Sequence, residues 1–206
     1  MAALVGVIFG APAVTPQKVF AHPKPFSDRT TDKLKKIALG VLATVVAFPL
    51  ASLLGSKITD LMKIFDIEIS APQEIIQIWN FIDGLSFNFL KLIFKTALLG
   101  FIVVFGPIIE EIIFRDKLHS WMKGWMDNPD STSHKILRVI SNGLIFGACH
   151  LSLFQGWTNV PIFLITSLLG CIFAALRETT GDTTASTSAH ILHNGIAMCA
   201  FLHTPP

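Results

Sequence analysis

Two adjacent glutamates lie inside an apolar stretch, Phe-Ile-Val-Val-Phe-Gly-Pro-Ile-Ile-Glu-Glu-Ile-Ile-Phe-Arg, which runs from Phe101 to Arg115. A charged side chain at the centre of a bilayer costs about 2.5–3.5 kcal/mol on insertion scales. Two side by side also repel each other. Such a pair is a candidate for chemistry. Gly106-Pro107 is expected to break the preceding helix. The segment after it would then return into the bundle with Glu110 and Glu111 in its first turns, where the helix dipole favours carboxylates. Glu111 and Arg115 are spaced i,i+4 and can pair on one face. Glu110 points about 100° away from that face. One glutamate can thus be held ionised while its neighbour faces a cavity, which suits a general base. The plainer alternative is a solvated pair at a helix end.

Two further polar pairs stand in apolar surroundings. Phe146 and His150 are one helical turn apart, separated by Gly147-Ala148-Cys149, whose small side chains let another helix approach. An intramembrane histidine can act as base, hydrogen-bond donor or metal ligand; a packed histidine bonded to a backbone carbonyl is the bland alternative. His190 and Asn194 also share a face. Two convergent donors suit an oxyanion, although bonding between helices explains them as well. His193 lies off that face and is the less expected participant. His22, His119 and His134 are assigned to polar loops, as are Arg177, Glu178 and Asp182. Asn142 could bond a neighbouring helix.

The elements that must position these residues are membrane spans. Of 206 residues, 51% are apolar and 15% charged, where a soluble domain carries about 25% charged residues. Mean hydropathy is +0.60. The expected fold is all-α, a multi-pass transmembrane bundle. Its five legible spans are Ile37–Leu54 (with a kink at Pro49), Leu85–Phe105, Ile136–Phe154, Val160–Leu176 and Ala185–Leu202. Short or re-entrant helices would raise the count to six or more. Ala2–Val14 is apolar but short of the roughly 20 residues a span needs, and is read as retained rather than cleaved. Residues 1–36 form an apolar stretch and a basic polar segment; residues 37–206 form the bundle, with the chemical core at about 85–203. Lys91 and Lys95, inside the second span, must face protein or snorkel.

Basic residues cluster before the first span and between Arg115 and Arg138, while the Gly55–Gly84 loop holds only Lys57 and Lys63. The amino terminus and the 115–138 loop are therefore expected in the cytoplasm. Trp121 and Trp125 read as interface anchors. A net charge of +2, without a basic stripe interleaved with aromatics, gives no sign of nucleic-acid binding. Cys149, Cys171 and Cys199 match no metal or disulfide spacing and are expected to be buried. A thiol mechanism through Cys149 is disfavoured, since an apolar setting raises a thiol's pKa.

The order Glu110-Glu111-xxx-Arg115, Phe146-xxx-His150, His190-xxx-Asn194 resembles the CAAX-processing and bacteriocin-processing (CPBP, or Abi) family of intramembrane proteases. That family's motifs are EExxxR, FxxxH and HxxxN or HxxxB, where B is a small residue or Asn. The likeness covers roughly residues 100–200 and includes Leu176–Gly181 before the third motif. The family architecture has more membrane helices than the five legible here. The resemblance implies that Glu110 and His150 position and activate a water, that Glu111 and Arg115 support them, and that His190 and Asn194 stabilise the oxyanion. No cofactor is expected, although Glu110, His150 and His190 could in principle ligate zinc. Expected partners are membrane lipid and a peptide or protein substrate, either prenylated of the CAAX type or a leader peptide. Two other readings remain: a catalytically silent membrane scaffold or immunity-type protein on the same fold, and a proton-relaying transporter. The transporter would want inverted repeats, which the sequence lacks.

Overall fold

A computed structural model describes residues 26–67, 73–153 and 155–203. The expectations for Ala2–Val14 and His22 fall outside them. The described residues hold helices and no strand. The helices are α1 (Phe26–Ile64), α2 (Gln73–Asp83), α3 (Asn88–Gly124), α4 (Thr132–Ala148), α5 (Asn159–Thr180) and α6 (Thr184–His203). By length and composition α1, α3 and α5, the last with the 3₁₀ turn at Gly156–Thr158, can cross a membrane. α4 has 17 residues, and α6 has 20 with several polar groups.

Small residues set the closest helix contacts. Gly40 on α1 lies against the backbone of Ala185 and Ala189 on α6. The Thr44 hydroxyl, buried in that contact, lies 3.0 Å from Gly40 O and 3.1 Å from Ala189 O. The apolar core follows, with Ala47 and Ala51 of α1 meeting Leu169, Phe173 and Leu176 of α5 and Ala185 and Ala189 of α6. On the other side, Gly143 and Gly147 of α4 face Gly170, Ser167 and Cys171 of α5. Without bulk at these positions, backbones approach closely enough for dispersion and cross-helix hydrogen bonds to hold the bundle in lipid.

The ends are made locally. Ser131 caps α4 by accepting from His134 N–H at 3.3 Å. Gly181 closes α5 at φ 80°, a left-handed cap that glycine adopts without strain. The Asp182 carboxylate then accepts Thr184 N–H at 2.9 Å and starts α6. Lys36 of α1 pairs with Asp182. Glu178 near the end of α5 binds Arg138 of α4 and His119 of α3. The start of α1, the α3–α4 connection and the α5–α6 turn thus share one end of the molecule.

Several expectations are corrected. Gly106-Pro107 does not break the helix, and α3 continues from Asn88 to Gly124. Two wider π-helical segments, Phe101–Phe105 and Ile112–Leu118, lie within it. The first absorbs the proline: Gly106 N–H reaches Phe101 O, five residues back, so the backbone widens just ahead of the pyrrolidine ring. Leu85–Phe105 is accordingly too short a span. The third span is too long, since α4 ends at Ala148. The Gly55–Gly84 loop is largely helical, formed by the end of α1 and by α2. His119, His134, Arg177 and Glu178 are helical rather than in loops. Cys149 and Cys199 are exposed rather than buried, and Cys171 is half-buried. Lys95 does face protein, pairing with Asp83 at 2.6 Å and lying over the Trp79 ring at 4.3 Å.

Candidate active site

Arg115 is fully buried and anchors the site. Its Nη2–H donates to Gly170 O at 3.0 Å, and its Nη1 lies 3.3 Å from Glu111 Oε1. The guanidinium lies over the Phe146 ring, 4.3 Å from its centroid, an arrangement that stabilises a desolvated cation. Glu111, 1% exposed, shares the same oxygen with His190, whose Nδ1 is 3.1 Å away. An ionised carboxylate can only accept, so the ring proton lies on Nδ1. Phe173 stacks on His190 at 4.7 Å and Phe146 meets it edge-on at 5.8 Å. The other ring nitrogen, Nε2, lies 3.6 Å from Glu110 Oε2. The chain Arg115–Glu111–His190–Glu110 therefore runs from the packed core out to the cavity.

Glu110, His150, His190 and Asn194 line one cavity of about 400 Å³. Glu110 is the more accessible glutamate, with about a third of its side chain exposed. His150 sits just past the end of α4. Its Nδ1 is 2.8 Å from Phe146 O; a carbonyl only accepts, so the neutral ring keeps its lone pair on Nε2. Asn194 donates from Nδ2 to Ile102 O at 3.0 Å, and a second N–H remains on the same nitrogen. Beyond these groups the wall is mostly apolar, with Ile76, Ile165, Leu169, Ala197, Met198 and Phe201, and includes Thr166.

The continuous α3 explains how these groups reach one height. Glu110 lies nine residues before His119, and Phe146 eight residues beyond Arg138. At 1.5 Å per residue, Glu110, Phe146 and His150 sit about 12–18 Å from the Glu178 layer. A helix ending near Phe105 would instead have left Glu110 at the membrane edge.

All six residues singled out by spacing belong to this cluster. Glu111 and Arg115 stand behind the cavity wall, and the other four line it. His193, less expected from its spacing, lines it too, its ring 5.5 Å from that of Phe48. Phe173 and the carbonyls of Gly170 and Ile102 had no sequence signal, because their roles depend on which helices pack together. Asn142, expected to bond a neighbour, donates to Phe114 O at 2.7 Å. Arg177 Nε–H similarly donates to Arg115 O at 3.1 Å. Both acceptors belong to the second π segment, where side chains from other helices satisfy main-chain oxygens.

Among the described residues no three His, Cys, Asp or Glu side chains are grouped to hold a metal ion. Both His190 nitrogens already face carboxylates, and His150 Nδ1 is bonded to a carbonyl.

No curated protein and no solved structure matches the chain. The family described as Type II CAAX prenyl endopeptidase Rce1-like matches residues 92–196, just over half of the chain and the whole of the polar cluster. The chain belongs to that Rce1-like family of CAAX endopeptidases.

Proposed function

We propose that this protein is an intramembrane endopeptidase that hydrolyses a peptide bond with a water activated by Glu110 and His150. The observation that carries this reading is the convergence of Glu110, His150, His190 and Asn194, from three separate elements, on one cavity. Glu110 is placed as general base, and His150 Nε2 as the acceptor that orients the water. The water gives a proton to Glu110 and its oxygen attacks the carbonyl carbon. The resulting oxyanion takes N–H donation from Asn194 and from His190 Nε2, for which the ring must carry a proton on both nitrogens. When the C–N bond breaks, Glu110 returns the proton to the leaving amine. Glu111 and Arg115 hold the His190 ring in place.

The apolar wall opposite these groups suits a substrate with a hydrophobic segment or a prenyl group next to the scissile bond, in keeping with the family. Five spans (α1, α3, α4, α5 and α6) would pass alternately through the bilayer, with the basic end in the cytoplasm. No metal takes part in this scheme. The test is cleavage of a prenylated CAAX peptide in liposomes by wild type, Glu110→Ala and His150→Ala, with and without a chelator. Each substitution should lower kcat by about 10²–10⁴-fold. Equal cleavage by all three proteins would remove the mechanism, and loss of wild-type cleavage with chelator would assign the step to a metal. A wild type inert to prenylated, leader and unmodified membrane peptides would favour a silent scaffold.

A further inference from the structure

The first π segment of α3 leaves one backbone acceptor without a helical donor, and that acceptor holds Asn194. Gly106 N–H bonds to Phe101 O, five residues back. In the same register the donor for Ile102 O would be the N–H of residue 107. That residue is proline, buried within α3, and proline has no N–H. Ile102 O instead accepts from Asn194 Nδ2–H at 3.0 Å across the α3–α6 contact. Ile102 and Asn194 both line the cavity. Inside a membrane bundle a vacated carbonyl needs a donor from somewhere, so a side-chain amide is drawn to this spot. Its oxygen and second N–H are left for the cavity.

From this geometry we infer that Pro107 is a positioning residue: by withholding its N–H it frees Ile102 O to fix the Asn194 amide at the cavity wall. The inference rests on the endopeptidase reading for its catalytic consequence, though the hydrogen-bond exchange does not depend on it. An alanine at 107 would supply an N–H in the existing register. Ile102 O would then have a local partner, and Asn194 would lose its exclusive hold.

A double-mutant cycle tests this with Pro107→Ala, Asn194→Ala and the pair. Pro107→Ala should lower kcat about 10- to 100-fold with KM little changed, as a displaced catalytic group does. In the Asn194→Ala background the same change should leave kcat unaltered. Melting temperature in detergent gives a readout that needs no activity. Asn194→Ala in the wild type strands the Ile102 carbonyl and should lower the midpoint by about 2–4 °C. In the Pro107→Ala background most of that loss should vanish. Additive effects in both measurements, or a Pro107→Ala enzyme with wild-type kcat, would overturn the proposal. An inert wild type would overturn the endopeptidase reading and the catalytic half with it, and the melting cycle would still decide the hydrogen-bond half.

Discussion

Arg115 is the residue on which the charged groups of the site depend. It is fully buried beside a glutamate that is almost as buried. Removing one partner of such a pair leaves an uncompensated charge and typically costs about 3–5 kcal/mol. Arg115→Met should therefore lower the melting temperature strongly, and Glu111→Gln should do so as well. The double substitution should be less harmful than the sum of the two, because neither charge is then stranded. Strictly additive losses would mean that the 3.3 Å approach carries no coupling. At this scale the i,i+4 spacing was sufficient to read the pairing of Glu111 with Arg115, since both lie on one helix. The partners that came from other helices, Gly170 O for Arg115 and Phe173 for His190, depend on packing angles that spacing does not encode. His193 also reaches the cavity wall, because a cavity is wider than one helical face and a residue about 100° off the expected line still borders it.

At the scale of elements, the α4–α5 contact decides where His150 stands. A Cβ on Gly143 would meet Cys171 N at 2.7 Å and Ser167 O at 2.8 Å, both backbone atoms that cannot turn aside. Gly143→Val should therefore push α4 away from α5. The cost should exceed the roughly 1–3 kcal/mol typical of overpacking against side chains, and cleavage should fall because His150 moves with its helix. Gly100 of α3 is the contrast, with nothing within 4 Å of the corresponding position. Gly100→Ala should be neutral or stabilising by up to about 1 kcal/mol from helix propensity. Melting curves of the two variants separate the cases, and equal losses would show that the close approach carries no weight. The hydrophobic runs made the spans legible as helices. Their ends were not, since Pro107 reads as a breaker unless a π-turn ahead of it and a donor from α6 absorb its two defects.

Across the whole molecule the charged groups form layers. One end carries the Lys36–Asp182 pair, next to the bonds that Glu178 makes with Arg138 and His119. The polar cluster around Arg115 and Glu110 lies deeper, about 12–18 Å along the helices from the Glu178 layer. The alternation of basic segments pointed to a shared end for the start of α1 and the α3–α4 connection, and the contacts bring these regions to one end. The carboxylates that complete the layer were hidden, because Glu178 and Asp182 read as loop charges. Lys36–Asp182 ties α1 to the α5–α6 turn, and so steadies the register of α6, which carries His190 and Asn194. Burial works to raise the Asp182 pKa, but hydrogen bonds from Lys36 and Thr184 outweigh it and hold the group below its ordinary 3.8. A depressed pKa stabilises the fold above the ordinary value, and that contribution disappears as pH falls through the folded one. The melting temperature should thus be level from neutrality to about pH 5 and drop below about pH 4. Asp182→Asn should melt lower than wild type at pH 7, with the gap closing as the wild-type carboxyl is protonated. A gap that stays constant to pH 3 would mean that the tie between α1 and the turn does not depend on this charge.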